Sequence, residues 1–131
     1  MGLSSYSLIL KNDGTLWGCG YNVEGQLGLG DTTNRTTFTQ VTTNTDNIKS
    51  VYCGWSYTFI LKNDGTLWGC GYNREGQLGL GDTTNRTTFT QVTTNTDDIK
   101  KIYCGWKHTL ILKNDCTLWG CGLNTYGQLG L

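Results

Sequence analysis

Six cysteines and one histidine are the residues of this sequence whose chemistry could include metal binding, disulfide formation or nucleophilic catalysis. Zinc sites combine Cys and His ligands at short spacings such as Cys-x-x-Cys. The sequence has no Cys-x-x-Cys pair, and a single His cannot complete a site that repeats. We therefore predict no metal site and no cofactor. Five of the cysteines recur at equivalent positions and one stands alone: Cys19, Cys70 and Cys121; Cys53 and Cys104; and Cys116.

Periodic cysteines of this kind are typical of small buried apolar side chains in equivalent strands. A disulfide between the two cysteines of one repeat is the alternative. Cys116 differs from the others because it stands where Gly14 and Gly65 stand in the other copies. Its thiol is a candidate for crosslinking between chains, and its backbone is expected to be strained at positive φ.

The carboxylates give no pattern of a catalytic site. General acid–base catalysis needs groups whose environments separate their pKa values, and covalent catalysis needs a nucleophile beside a base. His108 occurs once and is interpreted as a structural residue that is hydrogen-bonded within its sheet. We therefore predict that the protein is not an enzyme. The carboxylates lie in repeated turns and loops instead: Asp13, Asp64 and Asp115 in a turn, Glu24 and Glu75 in a loop.

Tryptophans recur in two positions of the sequence. Such aromatic ladders can stack sugars or bases, but their recurrence in every copy favours packing between repeated elements. We predict that all five tryptophans pack in the core and have a structural role. The turn glycines Gly14 and Gly65 are also predicted to have a structural role. The tryptophans are Trp17, Trp68 and Trp119 after the turn, and Trp55 and Trp106 at a bend.

The elements that carry these residues repeat every 51 positions. Residues 11–61 and 62–112 differ at only seven positions, so the chain is a single array of near-identical units. The array divides into a partial unit 1–10, units 11–61 and 62–112, and a partial unit 113–131. Exact repetition at this period is typical of propellers and solenoids.

Each unit contains four short segments with the pattern of β-strands. The first, 48–53, alternates apolar and polar residues, and the second, 58–62, follows the break at 54–55. A turn at Asn63-Asp64-Gly65 precedes the third segment, 66–70, because Gly takes positive φ without a steric clash. A Gly-rich loop leads to the fourth segment, 89–93. Four antiparallel strands in a repeat of this length predict an all-β fold of propeller blades, about 2.5 blades in the chain; a solenoid or a sandwich is the alternative.

Charge and composition exclude several partners. The formal net charge is zero, so no strong electrostatic field would attract nucleic acid or an anionic membrane surface. No run of 18 apolar residues is present, so we expect no membrane span. The first ten residues also lack the basic start of a signal peptide.

Three segments of the repeat resemble a known family. They are Gly105-Trp106-Lys107-His108-Thr109, the Leu-Lys-Asn-Asp-Gly-Thr-Leu-Trp-Gly turn, and the Gly-Tyr-Asn-x-x-Gly-Gln-Leu-Gly-Leu-Gly-Asp loop. The sequence is similar to the regulator of chromosome condensation repeat, whose members form seven-bladed propellers. The resemblance implies a β-propeller with a binding role, as an exchange factor, chromatin reader or inhibitor. Tyr6 and Tyr57 stand where the family usually has His, and the Pro that the family often has is absent.

A seven-bladed ring would need far more residues than this chain contains. The sequence has three copies of the central hairpin but two of the segments that carry the outer and innermost strands. Unfinished sheets expose strand edges that invite pairing with another chain. We therefore expect either a fragment of a longer propeller or self-association, in a closed ring or a filament.

We interpret the chain as a non-catalytic scaffold that associates with itself and binds a protein partner. The alternative is a lectin-like protein with one carbohydrate site per blade, and guanine-nucleotide exchange follows only by analogy with the family. Loops that diverge on a fixed scaffold suggest binding, so the partner is predicted to contact the face where the copies differ. The residues predicted for this face are Val23, Ser56, Tyr57, Arg74, Lys107, His108, Thr125 and Tyr126.

Overall fold

Residues 5–131 are described by the computed structural model, and they form ten β-strands and no helix. These described residues accordingly contain no helix that could cross a membrane. Residues 1–4, including part of the predicted partial unit 1–10, lie outside the described range. The strands are β1 (Tyr6–Leu10), β2 (Leu16–Gly20), β3 (Arg35–Val41), β4 (Ile48–Cys53), β5 (Tyr57–Lys62), β6 (Leu67–Gly71), β7 (Arg86–Val92), β8 (Ile99–Cys104), β9 (His108–Lys113) and β10 (Leu118–Gly122).

The strands form three antiparallel sheets that correspond to successive blades. The middle sheet is complete, with the order β4-β5-β6-β7. The first sheet is β1-β2-β3 and the third is β8-β9-β10, so each has three strands among the described residues. Strand β4 contacts both β1 and β8, which identifies β4 and β8 as the strands where neighbouring blades meet. The predicted all-β propeller blades are confirmed, at about 2.5 blades.

The strand predictions for the middle sheet were correct in number and order. The fourth strand begins at Arg86 and not at 89, because the Thr-rich segment before Phe89 also pairs with β6. The sheet spans Ile48–Val92 and therefore crosses the boundary between units 11–61 and 62–112. The residue at which a sequence repeat is taken to begin need not be the first residue of a sheet.

The hairpin between β5 and β6 turns at Gly65, where φ is +87°. The Gly65 N–H donates to Lys62 O, and the Asp64 carboxylate accepts a hydrogen bond from the Thr66 N–H at 2.9 Å. The equivalent residue of the third sheet is Cys116, which has φ +71°. The strain predicted for Cys116 is therefore present: a side chain occupies a left-handed backbone conformation.

Replacing Cys116 by Gly is expected to raise the free energy of unfolding by about 1 kcal/mol, because the left-handed conformation then carries no Cβ penalty. The reciprocal change, Gly65→Cys, is expected to lower it by a similar amount. A Cβ at Gly65 would meet no atom within 4 Å, so the effect reports backbone strain alone. Urea unfolding of both variants tests this, and a loss of stability in Cys116→Gly would contradict it.

The core lies between neighbouring sheets and not within any one of them. One cluster joins Leu16 and Val41 of the first sheet to Ile60 and Phe89 of the middle sheet. A second cluster joins the middle and third sheets through residues that include Leu67 and Ile102. The middle sheet thus contributes one of its faces to each of the two clusters.

The six cysteines are all free thiols, so the disulfide alternative is not supported. Cys70 is fully buried in the first cluster, with its Sγ 3.6 Å from Gln26 O. Burial raises the pKa of Cys121 to about 11 and that of Cys104 to about 12. The prediction that the repeated cysteines are buried holds for Cys70, whereas Cys53 is exposed. Cys116 is exposed, as its candidate crosslinking role requires.

Candidate protein-binding face

The loops of the sheets divide between two faces of the array. Because successive strands are antiparallel, the β4–β5 and β6–β7 loops leave the middle sheet at the same end. The equivalent loops of the first and third sheets lie at that end too, and we call this surface the loop face. The hairpin turns lie at the opposite end, which we call the turn face.

A polar network stabilises the long loop that joins β2 to β3 in the first sheet and β6 to β7 in the middle sheet. Asn22 is fully buried, and its Nδ2 donates to Asp31 O, Asp31 Oδ1 and Thr33 O at 3.1 Å each. The Asn22 Oδ1 accepts the Leu27 N–H at 2.9 Å. Asp31 also forms a bidentate ion pair with Arg35, with Nη2 2.7 Å from Oδ2. The same contacts recur around Asn73, Asp82 and Arg86 in the middle sheet, so the loop is a fixed scaffold.

The stability of these loops is expected to depend on acid pH. The Arg35 hydrogen bond lowers the pKa of Asp31, and Arg86 does the same for Asp82. A lowered pKa means that the folded state binds fewer protons than the unfolded state, in which the pKa of Asp is about 3.9. The stabilisation is thus complete above that pH and is lost as the pH falls through the folded-state values.

We expect the melting temperature to be nearly constant from about pH 5 to 7 and to fall below about pH 4. The double variant Asp31→Asn and Asp82→Asn should have a lower melting temperature at neutral pH. Its melting temperature should also fall less when the pH is lowered. Thermal unfolding followed by circular dichroism at a series of pH values tests this. If the melting temperature of the double variant falls with acid as steeply as that of the unmodified chain, the pH dependence arises from other groups.

Trp55 and Trp106 lie on the loop face, contrary to the prediction that they pack in the core. They are 38% and 53% exposed, and their rings meet edge to face with centroids 5.5 Å apart. Each occupies the bend after the innermost strand, where the side chain projects out of the sheet. The indoles therefore contact each other across two blades at the surface.

The tryptophans of the third strands are partly buried in the first two sheets. The Trp68 Nε1–H donates to Thr66 Oγ1 at 2.9 Å, and the Lys62 ammonium lies 4.4 Å from the ring centroid. Trp68 also packs against the first core cluster. Trp17 makes the equivalent contacts, whereas Trp119 in the third sheet is 43% exposed. The predicted packing role therefore holds in part for this position.

Ser56 and Tyr57 were predicted for the partner-binding face, but both are buried. Tyr57 is fully covered, and its hydroxyl lies 2.5 Å from His108 O and 3.0 Å from Gly105 O in the next sheet. Tyr6 reaches the backbone of the middle sheet in the same way. Burial raises the pKa of Tyr57, so the phenol stays neutral. Tyr57 is buried because it lies two positions after Trp55 at the bend and points between the blades.

His108 occupies the same position in the third sheet and is half-buried. Its ring packs against Gly105, where a Cβ would collide with the imidazole. Among the described residues the ring makes no hydrogen bond, while the backbone pairs through the Gly105 N–H and His108 O at 2.9 Å. The predicted structural role is therefore one of packing, without the hydrogen bond that was expected.

The remaining predicted residues lie on the loop face and are accessible. Tyr126 is 86% exposed and Val23 is 46% exposed. Lys107 is half-buried, because its ammonium lies 4.6 Å from the Trp106 ring centroid and 5.5 Å from that of Tyr72. Arg74 and Thr125 are also exposed.

The loop face has a groove between the first and middle sheets, and we call the equivalent contact between the middle and third sheets the second groove. The first groove contains a pocket of about 170 Å³ lined by Ser5, Tyr21, Glu24, Trp55 and Ser56. Its Glu24 carboxylate accepts a hydrogen bond from Asn85 Nδ2 at 2.8 Å across the blades. In the second groove the residue equivalent to Ser56 is a lysine, whose ammonium lies over aromatic rings. The second groove also contains Glu75 in the position of Glu24, so it differs from the first by the added cation of Lys107.

Sequence reasoning did not select Tyr21 and Trp55 for this face. Tyr21 is 41% exposed and lines the first groove together with Trp55. The available signal was their position directly after a strand, where a side chain is outside the sheet. Within the described residues no cluster of three metal-ligating side chains is present.

Comparison with known proteins gives a consistent family assignment. The model described as "Regulator of chromosome condensation (RCC1) repeat" matches residues 13–61 and 64–112. The chain is 35% identical over 130 residues to the Ultraviolet-B receptor UVR8 of Arabidopsis thaliana, covering 98% of this chain and 30% of that protein. It is 34% identical over 119 residues to a secretion-regulating guanine nucleotide exchange factor of Bos taurus, covering 88% of this chain and 26% of that protein.

Among solved structures, the chain is similar to yeast RCC1 (Prp20), whose structure was determined bound to Kap60. The TM-score is 0.77 at 25% identity, over 90% of this chain and 28% of that chain. The chain therefore spans less than a third of each of these proteins.

Proposed function

This chain belongs to the regulator of chromosome condensation (RCC1) repeat family, and from that premise we propose that it is a non-catalytic propeller scaffold that binds a protein partner through its loop face. The solved complex of yeast RCC1 with Kap60 is a protein–protein complex, which supports this class of function by relationship. We further propose that the chain associates with other copies of itself.

The observation that carries the proposal is the unequal chemistry of the two grooves. Of the seven positions at which the two full units differ, those on the loop face include Ser56 against Lys107 and Val23 against Arg74. Exposed aromatic side chains and arginines are enriched in protein interfaces. A partner that covers both grooves would meet Glu24 in one and Glu75 together with Lys107 in the other.

A carbohydrate-binding function is the second candidate, and the first groove favours it. Tyr21 and Trp55 could stack on a sugar ring while Glu24 accepts a hydroxyl hydrogen bond. A repeated ligand would favour identical sites, whereas the second groove carries Lys107. Guanine-nucleotide exchange rests only on the name of the cattle relative, and no described residue supports it.

The protein partner can be tested by affinity capture with two matched variants. The loop-face variant replaces Arg74, Lys107 and Tyr126 by Ala, and the control replaces the exposed turn-face residues Lys11 and Asn63 by Ala. Lys62 and Lys113 are unsuitable controls because each is buried in an ion pair with an Asp. We expect proteins captured by the unmodified chain and by the control to be lost from the loop-face variant. Equal loss from both variants would contradict the choice of face, and a glycan array with the same variants tests the carbohydrate alternative.

Self-association is supported by apolar side chains that are exposed only in the outer sheets. Leu118 is 59% exposed, whereas its equivalents Leu16 and Leu67 are 0% and 1% exposed in the interior. Phe38 is 45% exposed, whereas its equivalent Phe89 is 1% exposed. We expect light scattering to give a mass above 14.5 kDa that rises with concentration. A monodisperse monomer that melts cooperatively would exclude it.

A further inference from the structure

The pocket of the first groove is bounded by two aromatic rings and a carboxylate. Tyr21 and Trp55 supply the rings, and Glu24 supplies the carboxylate. The two aromatic residues are 41% and 38% exposed, so a partner on the loop face can reach them. The pocket lies between the first and middle sheets, because Tyr21 follows β2 whereas Trp55 lies between β4 and β5.

The second groove has the same walls one repeat further along the chain. The equivalent residues are Tyr21 and Tyr72, Glu24 and Glu75, and Trp55 and Trp106. The Tyr21 N–H donates to Ser5 O and the Tyr72 N–H donates to Ser56 O, both at 2.9 Å. The N–H groups of the two glutamates each donate to a glutamine Oε1, at 3.0 and 3.1 Å. The two grooves can therefore be compared residue by residue.

The second groove differs because a side chain of the protein itself occupies it. The Lys107 ammonium lies 4.6 Å from the Trp106 ring centroid and 5.5 Å from that of Tyr72. Both distances are within the range of about 6 Å over which a cation is attracted to an aromatic ring. The residue equivalent to Lys107 in the first groove is Ser56, whose short side chain ends at Oγ and lines the pocket. The pocket therefore has the position that an ammonium takes in the second groove.

Glu24 gives this pocket a negative charge. Its carboxylate is half-buried, and its Oε2 accepts a hydrogen bond from Asn85 Nδ2 at 2.8 Å, which fixes the group in the pocket wall. Of the ion pairs among the described residues, none includes Glu24. Aromatic ring faces also carry negative partial charge. The rings and the carboxylate together favour a cation over a neutral sugar, which would gain stacking and hydrogen bonds only.

Because the loop face is proposed to bind protein, we propose that the first groove recognises a lysine side chain of the partner. Its ammonium enters between Tyr21 and Trp55 and donates a hydrogen bond to the Glu24 carboxylate. The second groove shows what such walls accept, since Lys107 places an ammonium on a lysine stem against the same two types of ring. The first groove is accordingly open to a partner's lysine, whereas the protein fills the second groove itself.

Titration of the full chain with Nα-acetyl-lysine N-methylamide tests the site, with the indole N–H signals of Trp55 and Trp106 followed by NMR. We expect a saturable shift at Trp55 with a Kd on the order of millimolar, and a much smaller shift at Trp106. The norleucine derivative has the same stem without the ammonium and should give no saturable shift. Methyl glucoside tests the neutral sugar in the same way. Saturable shifts from either of these two compounds that match those from the lysine derivative would overturn the proposal, as would the absence of a saturable shift with the lysine derivative.

Two reciprocal substitutions at the equivalent positions provide matched variants. Ser56→Lys should fill the pocket from within and abolish the shift at Trp55. Lys107→Ser should open the second groove, so that Trp106 also shifts saturably, and this gain does not depend on whether the first variant folds. Glu24→Gln keeps the shape of the side chain and removes its charge, so it should weaken binding about 10-fold.

The same variants separate lysine recognition from the protein-binding function on which it rests. Binding of the lysine derivative that survives in Ser56→Lys would overturn the proposal, as would a Lys107→Ser chain that gains no second site. Proteins captured through the loop face should also be lost from Ser56→Lys. If Ser56→Lys still captures the proteins that the loop-face variant loses, lysine recognition is wrong and the protein-binding function stands.

Discussion

Replacing Tyr57 by Ala is expected to lower the free energy of unfolding by about 3–5 kcal/mol, the range for removing a large buried aromatic side chain. The ring is fully buried, packs edge to face on Phe59 with centroids 6.0 Å apart, and lies against Gly54. Its hydroxyl donates to the backbone of the third sheet, so the side chain also connects two blades. Urea unfolding at a fixed protein concentration measures the loss, since association would shift the apparent stability.

Two further variants separate the ring from its hydroxyl. Tyr57→Phe keeps the ring and removes the donor, which should cost about 1–2 kcal/mol because Gly105 O and His108 O lose the phenol hydroxyl, although His108 O keeps the Gly105 N–H. It also keeps the test valid if the Ala variant does not fold. Tyr126→Ala is the control, because that side chain is 86% exposed and should change stability by less than about 0.5 kcal/mol. Similar losses from the Ala variants of Tyr57 and Tyr126 would contradict the assigned role.

Replacing Gly71 by Ala is expected to lower the free energy of unfolding by about 2–5 kcal/mol. The residue has φ +102°, and a Cβ there would lie 2.5 Å from Ser56 O and 2.8 Å from Tyr57 Cα. These are backbone atoms of the neighbouring strand, so no side-chain rotation relieves the collision. The new methyl would also lie 3.1 Å from Gln26 Cα of the first sheet, which pushes two blades apart.

Gly81→Ala provides the matched control for that experiment. Gly81 also has positive φ, +81°, but a Cβ there would meet nothing within 4 Å. It should therefore show the conformational penalty alone, about 1–2 kcal/mol. Thermal and urea unfolding of the two variants would give the difference due to the collision. Equal destabilisation would show that blade contacts at Gly71 tolerate a methyl group.

The residues predicted to bind a partner illustrate where the exposure expected from the sequence was wrong. Ser56 and Tyr57 differ between copies and follow a loop, which suggested exposure, but both are buried between sheets. Trp55 recurs as Trp106, which suggested core packing between blades, but it lies on the surface. Side-chain direction at a bend depends on how the next blade is placed, and a pattern within one repeat contains no information about the neighbouring repeat.

Local constraints in the sequence specify the strands and turns of this protein. Recurrence at 51 residues, period-2 patterning and a turn that requires glycine were sufficient to predict the blades, their strand order and the strain at Cys116. The contacts between the blades depend instead on tertiary packing. The contacts of Tyr57 with His108 O, the unlike grooves and the pocket between Tyr21 and Trp55 all join residues of different sheets. They arise from the packing of one sheet on the next, which no single repeat specifies.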